Sequence, residues 1–169
     1  MYYLYKNQAK EKEAPKCSNF LSSCTLEVFE PNIFKPKAKG EKVDFKALLV
    51  RLSFLLTTNG KVRIYLLRKN EEVIHATCVI PKCSKFPFMS ELDLEIGPCN
   101  TIKSYRRKGC YLYVLQNIVK KELAEQEGAF YMLVNEENIA SICGIEKAGF
   151  KRVGKVKKEK RRYQLKEVL

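Results

Sequence analysis

Between Glu91 and Leu123 the spacing of apolar residues changes from that of a strand to that of a helix, and this change constrains the fold more than any other stretch of the chain. Glu91-Leu92-Asp93-Leu94-Glu95-Ile96 alternates strictly, which predicts a strand with one apolar face. Gly97-Pro98 interrupts the run and predicts a bulge or a break in pairing, with Cys99 to Ile102 continuing beyond it. From Lys108 onward Leu112, Leu115, Val119 and Leu123 recur at helical spacing, and Gly128 is placed to end that helix. The junction itself reads Tyr105-Arg106-Arg107-Lys108-Gly109-Cys110-Tyr111. The first amides of a helix have no internal partners and carry partial positive charge, so a basic loop with a glycine at a helix mouth is suited to a pyrophosphate. Gly109 lets a phosphate approach the backbone with no Cβ in the way.

The rest of the chain extends this unit. Tyr2 to Tyr5 reads as a short strand, followed by irregular structure or a short helix up to residue 34. Residues 35–42 have loop composition. Residues 43–57 fit a helix through Leu48, Leu49, Leu52, Leu55 and Leu56, and also permit a strand. Asn59-Gly60 predicts a hairpin turn, with a strand through Val62, Ile64 and Leu66 after it. A turn at Asn70-Glu71-Glu72 leads to a strand from Val73 to Ile80, ended by Pro81. Ala129 to Val134 is a further strand, Asn135 is placed to cap a helix through Ile139, Ile142 and Ile145 that stops at Gly149, and Phe150–Val156 and Arg162–Val168 read as two final strands. Antiparallel strands followed by strand–helix–strand–helix–strand is an α+β arrangement. A chain of 169 residues favours a single domain over 1–169, with residues 1–60 its least constrained part.

Composition narrows the class. No apolar run approaches the roughly 20 residues of a membrane span, and the N-terminus lacks a charged start followed by an apolar block. A cytoplasmic protein without membrane partners is therefore expected. Cys17, Cys24, Cys78, Cys83, Cys99, Cys110 and Cys143 contain no CxxC pair, and His75 is the single histidine, so free thiols and no metal are expected. Cys83, after Pro81, is expected to be exposed. The net charge of +13 attracts polyanions or small phosphorylated ligands. The basic tail Lys155 to Arg162 has only Tyr163 nearby as a stacking aromatic, which argues against nucleic acid.

Arg106 to Tyr111 resembles the Q/R-x-x-G-x-G/A signature of the GCN5-related N-acetyltransferases. Arg106 takes the first position and Gly109 the central glycine, while Tyr111 stands where that family prefers Gly or Ala. Downstream, Asn138-Ile139-Ala140-Ser141-Ile142-Cys143-Gly144-Ile145-Glu146-Lys147-Ala148-Gly149-Phe150 resembles the family's N-x-x-[AS]-…-E-K-x-G-F pattern. The resemblance covers residues 91–155 and implies an α+β fold: a mixed, mostly antiparallel central sheet with helices on both faces and a splayed strand pair holding acetyl-CoA. It implies that the backbone around Cys99 to Thr101 pairs with pantetheine amides. It also implies that Arg106, Arg107, Lys108, Gly109, Cys110 and Tyr111 hold the pyrophosphate, and that Asn138 and Ser141 lie near the thioester and pantetheine arm.

Direct acetyl transfer requires a neutral amine beside the thioester, a base for its proton, and a means of stabilising the departing thiolate. Glu91, Asp93 and Glu95 share a face by alternation. If that face lines the cleft, one of them serves as base or binds the substrate ammonium; if it faces solvent, none does. Glu95, nearest the expected bulge, is the first candidate, and His75 on the neighbouring strand the second. Where the family pattern often places a tyrosine this chain has Ile145, which leaves Tyr111, Tyr113, Cys143 or unassisted departure of the thiolate.

Lys85-Phe86-Pro87-Phe88-Met89 with Asp93 to Thr101 is similar to acetyltransferases linked to bacterial surface-polysaccharide synthesis, which implies an amino sugar or nucleotide-sugar as the small-molecule amine acceptor. Phe86 and Phe88 read either as an acceptor platform or as core residues. The alternatives are a peptide or polyamine acetyltransferase, the latter disfavoured by the basic charge, and a non-catalytic acyl-CoA-binding module. A homodimer is left open.

Overall fold

The computed structural model describes residues 1–7, 18–125, 127–160 and 162–169. Cys17 lies outside them. In chain order the elements are β1 (Tyr2–Asn7), α1 (Asn19–Ser22), β2 (Thr25–Phe29), α2 (Phe45–Thr57), β3 (Arg63–Lys69), β4 (Glu72–Pro81), β5 (Leu94–Thr101), a 3-10 turn (Lys103–Tyr105), α3 (Cys110–Glu125), β6 (Phe130–Asn135), α4 (Ile139–Lys147), β7 (Lys151–Glu159) and β8 (Arg162–Val168). The eight strands form one sheet in the order β2-β3-β4-β5-β6-β1-β7-β8. Every neighbouring pair is antiparallel except β5 and β6. The fold is thus the mixed, mostly antiparallel α+β sheet expected from the sequence.

Two apolar layers sandwich the sheet. On one face Val114, Leu115 and Ile118 of α3 and Ile145 of α4 pack on Tyr65, Leu67, Leu94, Ile96 and Met132. On the other, Phe54 and Leu55 of α2 pack on Ile64, Leu66, Ile80 and Phe86. Residues 43–57 resolve to helix because Asp44 Oδ1 accepts from the Ala47 amide and caps it, and because Leu52, Phe54 and Leu55 then reach the sheet, whereas Leu49 and Leu56 of the expected stripe stay exposed. Two buried carboxylates tie helices down. Glu122 of α3 accepts from the Tyr65 hydroxyl at 2.6 Å and from the Arg63 guanidinium, and Glu41 holds Arg51 of α2 at 2.6 Å.

Several local signals have other partners than the sequence suggests. Asn59-Gly60 does turn the chain, with φ of 51° and 78°, but it joins a helix to a strand and makes no hairpin. The strand β2 stands where irregular structure or a short helix is expected: Thr25–Phe29 is a five-residue edge strand, too short for its Thr-Leu-Glu-Val alternation to separate strand from helix. Glu91 to Asp93 precede β5 instead of forming its start: the Asp93 carboxylate accepts from the amides of Ser90 and Ala129 and shapes a loop. Asn138, three residues beyond Asn135, caps α4. Cys83 is buried, not exposed.

Gly128 lies beyond the end of α3, and its role is close approach: a Cβ there would sit 1.8 Å from the Leu92 carbonyl oxygen. Gly128→Ala is expected to destabilise the fold by about 3 kcal/mol or more, since backbone must move against backbone. Urea unfolding of the two proteins measures this, and equal midpoints would refute it.

Candidate functional site

The parallel pair β5–β6 is short: Leu94 faces Phe130 and Glu95 faces Tyr131, after which the strands part. The parting coincides with a bulge. Thr77 pairs with Cys99 and Val79 with Ile96, so Gly97 and Pro98 together oppose Cys78 on β4. The bulge expected at Gly97-Pro98 is therefore present, and it bends β5 away from β6. The result is a cleft of about 400 Å³ that passes through the sheet. Tyr111, Asn138, Ser141 and Ile145 line it from α3 and α4; Val50, Phe54, Phe86 and Tyr163 line it from the other side.

Glu95 sits at the fork. Its neighbours Leu94 and Ile96 belong to the α3/α4 core, so alternation turns Glu95 to the α2 face. It is 6% exposed, and its Oε2 has no hydrogen-bond partner among the described residues. The absence of a side chain on Gly97 makes room for it: a Cβ there would lie 2.8 Å from Glu95 Oε1. Desolvation pushes its carboxyl well above the usual carboxylate range, opposed in part by the Lys85 ammonium. A buried carboxylate oxygen without a hydrogen-bond partner is costly to keep for structure alone. Of the three alternating carboxylates, only Glu95 reaches the cleft; Glu91 is exposed and Asp93 is spent on the loop.

His75, the second candidate base, is closed in. Its Nδ1 lies 2.7 Å from Thr101 Oγ1 and its Nε2 2.7 Å from Thr77 Oγ1, and burial pushes its pKa down to about 4. Both ring nitrogens are engaged and the ring does not line the cleft, so it is a neutral tie between β4 and β5. Its lowered pKa has a pH consequence. The unfolded chain takes up a proton near pH 6.5 that the folded chain refuses until about pH 4, so stability falls as pH drops through that interval, by roughly 3 kcal/mol over its full width. Urea unfolding between pH 7 and pH 4.5 should show this slope in the native chain and a shallower one in His75→Asn. Equal slopes would assign the acid sensitivity to other groups.

The basic junction forms as expected. Arg106, Arg107, Lys108 and Gly109 are exposed at the mouth of α3, with φ of 63° at Arg107 and 81° at Gly109. The Gly109 carbonyl accepts the Tyr113 amide at 2.9 Å, so the amides of Cys110 to Leu112 have no partner within the helix. Arg106 Nε donates to the Thr101 carbonyl at 3.2 Å, and Lys108 Nζ lies 5.1 Å from the centroids of both Phe20 and Tyr105. Cys110 turns its thiol inward to the Tyr105 carbonyl, leaving only its amide at the mouth. Cys99 lines the cleft half-buried, its thiol pushed up to about 12 by burial. Thr101 is half-buried with its hydroxyl on His75. Asn138 Oδ1 accepts from the Ser141 amide at 3.2 Å, and both residues line the cleft.

Tyr111 departs from the small residue of the resembling pattern, and α4 accommodates it. A Cβ on Gly144 would meet the Tyr111 ring at 2.7 Å. The phenol is pushed strongly up by desolvation and by the neighbouring Cys99 thiol, so it keeps its proton. Neither Tyr113 nor Cys143 lines the cleft. Sequence reasoning missed Tyr2, Val50, Phe54, Lys158 and Tyr163, which reach the cleft from far along the chain. Phe86 stacks on Tyr163 at 5.7 Å and on Phe54 at 6.3 Å, so it is both core and cleft wall. A sign existed only for Tyr163, as the one aromatic beside the basic tail.

Neither a family model nor a curated protein matches the chain. Solved structures do. The chain is similar to a GCN5-related N-acetyltransferase from Sphaerobacter thermophilus, with a TM-score of 0.62 and 11% identity over 99% of this chain and 49% of that one. It is similar to an acetyltransferase of the GNAT family from Colwellia psychrerythraea, with a TM-score of 0.56 and 14% identity over 89% of this chain and 52% of that one. It is also similar to AAC(6')-Iy in complex with the bisubstrate analog CoA-S-monomethyl-acetylneamine, with a TM-score of 0.55 and 11% identity over 82% of this chain and 99% of that one. The chain spans about half the length of the first two. The class that the sheet, its splay and these likenesses define is the fold of GCN5-related N-acetyltransferases.

Proposed function

We propose that the chain is an acetyl-CoA-dependent N-acetyltransferase acting on the amine of a small molecule. The observation that carries this reading is Glu95, buried, with its Oε2 without a hydrogen-bond partner among the described residues, and facing the cleft where β5 leaves β6. The residues fit the co-substrate. The exposed amides and cations at the mouth of α3 suit its pyrophosphate, and the edge of β5 past the bulge is free of β6 to pair with pantetheine. Glu95 accepts the amine proton, directly or through a water, as nitrogen attacks the thioester carbonyl. The C–S bond then breaks and the electron pair leaves on sulfur. Tyr111, which keeps its proton, is the phenol on the α3/α4 side of the cleft able to hydrogen-bond that sulfur. Within this class an amino sugar or nucleotide-sugar is the preferred acceptor, as the basic surface suits a phosphorylated one.

One observation favours a second reading. Ile145 offers no proton, and Tyr111 occupies space that a small residue would leave open to the co-substrate, as a non-catalytic acyl-CoA-binding module would tolerate. Calorimetry with acetyl-CoA, followed by a turnover screen of amino sugars, nucleotide-sugars, peptides and polyamines, separates the two. Binding with turnover supports the enzyme, binding without turnover across the panel supports the module, and no binding overturns both.

A further inference from the structure

Among the described residues, Glu95 and Lys158 are the charged side chains that line the cleft. Glu95 stands at the fork of β5 and β6, and Lys158 comes from the far end of β7. Val156, two residues before Lys158, is fully buried in the α2 layer, so alternation returns Lys158 to the face that Glu95 occupies. Lys157 and Glu159 are turned to the opposite face by the same alternation.

The hairpin that carries Lys158 is pinned over the cleft. The Tyr163 amide donates to the Lys85 carbonyl at 2.8 Å, and the Tyr163 ring stacks on Phe86 at 5.7 Å and meets Tyr2 edge-on at 5.5 Å. Lys158 is opposite Tyr163 in the β7–β8 register, and its Nζ lies 5.9 Å from the centroid of that ring. The carboxylates of the hairpin are committed to other cations: Glu159 to Lys166 at 2.9 Å and Glu167 to Lys155 at 3.5 Å. Among the described residues this leaves Lys158 with no ion pair. Lys85, the ammonium that acts on Glu95, is occupied and lies outside the cleft lining: its Nζ donates to Ser53 Oγ at 2.7 Å and stands 3.7 Å from the centroid of Phe54.

A cleft with one acid, one separate cation and an aromatic surface beside that cation selects its occupant by charge. Glu95 receives the amine. A second cation on the same molecule is repelled by Lys158, whereas an anion is drawn to it, and the apolar face of a ring packs on Tyr163. We propose that the acceptor is an amine that also carries an anionic group, and that Lys158 binds this group while Glu95 takes the amine proton. The inference rests on acetyl transfer as proposed above and adds to it the residue that selects the acceptor. The anion's source is a sugar phosphate, the diphosphate of a nucleotide-sugar or the carboxylate of an amino acid.

CoA binding is measured first and reports on the acetyl-transfer reading alone. With CoA kept saturating, the mouth of α3 is filled and takes no second anion. Calorimetry then compares matched pairs: glucosamine with glucosamine 6-phosphate, uridine with uridine diphosphate, and phenylalaninamide with phenylalanine. In at least one pair the anionic member is expected to bind about 10-fold or more tightly than its neutral or cationic counterpart, and that pair identifies the source of the anion. Lys158→Met should remove the difference and leave CoA affinity unchanged, and Lys158→Arg should keep it. Lys157→Met, on the opposite face of β7, should leave the difference intact, which separates a specific contact from the general basic charge. Circular dichroism confirms that these surface variants fold. No preference in any pair, a preference that Lys158→Met retains, or one that Lys157→Met removes equally would each overturn the proposal.

Discussion

Glu95→Gln is expected to lower kcat by about 100- to 10,000-fold and to leave acetyl-CoA affinity unchanged. The substitution keeps the shape of a side chain packed against Gly97 and removes only its capacity to take a proton. Burial holds the native carboxyl well above its ordinary 4.5, and Lys85 offsets part of that. A base works when ionised, so kcat/KM should fall as pH drops through this raised pKa, with the acid limb lying above the ordinary carboxylate range. In Glu95→Gln that limb should vanish from the residual activity. Stability runs in the opposite sense. The folded chain holds this proton more tightly than the unfolded one, so Glu95 favours folding at low pH, and the benefit is lost as pH rises through the raised pKa. The variant should therefore gain stability relative to the native chain as pH rises. Full activity in Glu95→Gln would remove the base from the scheme.

The second large effect is at Gly109. Its φ of 81° lies in the left-handed region, where a β-branched residue is strongly disfavoured. Space is not the obstacle, because a Cβ there would meet only Leu21 Cδ1 at 3.6 Å. Gly109→Val should therefore leave the core intact and rearrange the turn that presents the first amides of α3. Losing two charge-assisted hydrogen bonds, at about 1.5–3 kcal/mol each, weakens acetyl-CoA binding by about 100-fold or more. Gly109→Ala should fall between the two. Calorimetry measures the loss, with circular dichroism as the check on folding. Native affinity in Gly109→Val would place the pyrophosphate elsewhere.

Much of the fold was legible because its signals are local. The strand periods of Val62 to Leu66 and Val73 to Ile80, the turn at Asn70, the helix from Cys110 and the bulge at Gly97-Pro98 each depend on neighbours within a few residues. Misreadings arose where a local signal has a non-local partner. Asn59-Gly60 states a turn but not what it joins. The alternation of Glu91 to Ile96 conceals that the Asp93 carboxylate caps amides at Ser90 and Ala129. The same limit applies to Tyr111: that it can stand beside α4 depends on Gly144, thirty-three residues downstream.

The exposed amides at the mouth of α3 follow from local sequence alone. A glycine between cations and an amphipathic helix makes exposed amides wherever it folds, since the geometry belongs to one continuous stretch of backbone. Which carboxylate faces the cleft was set by the packing of distant elements. Glu91, Asp93 and Glu95 are equivalent in pattern. Asp93 is buried too but bound to the Ser90 and Ala129 amides; Glu95 is desolvated and aimed at the cleft, because α2, the Phe86 loop and Tyr163 of β8 close over it from distant parts of the chain. Desolvation is a property of that enclosure, and it is set when the layers pack.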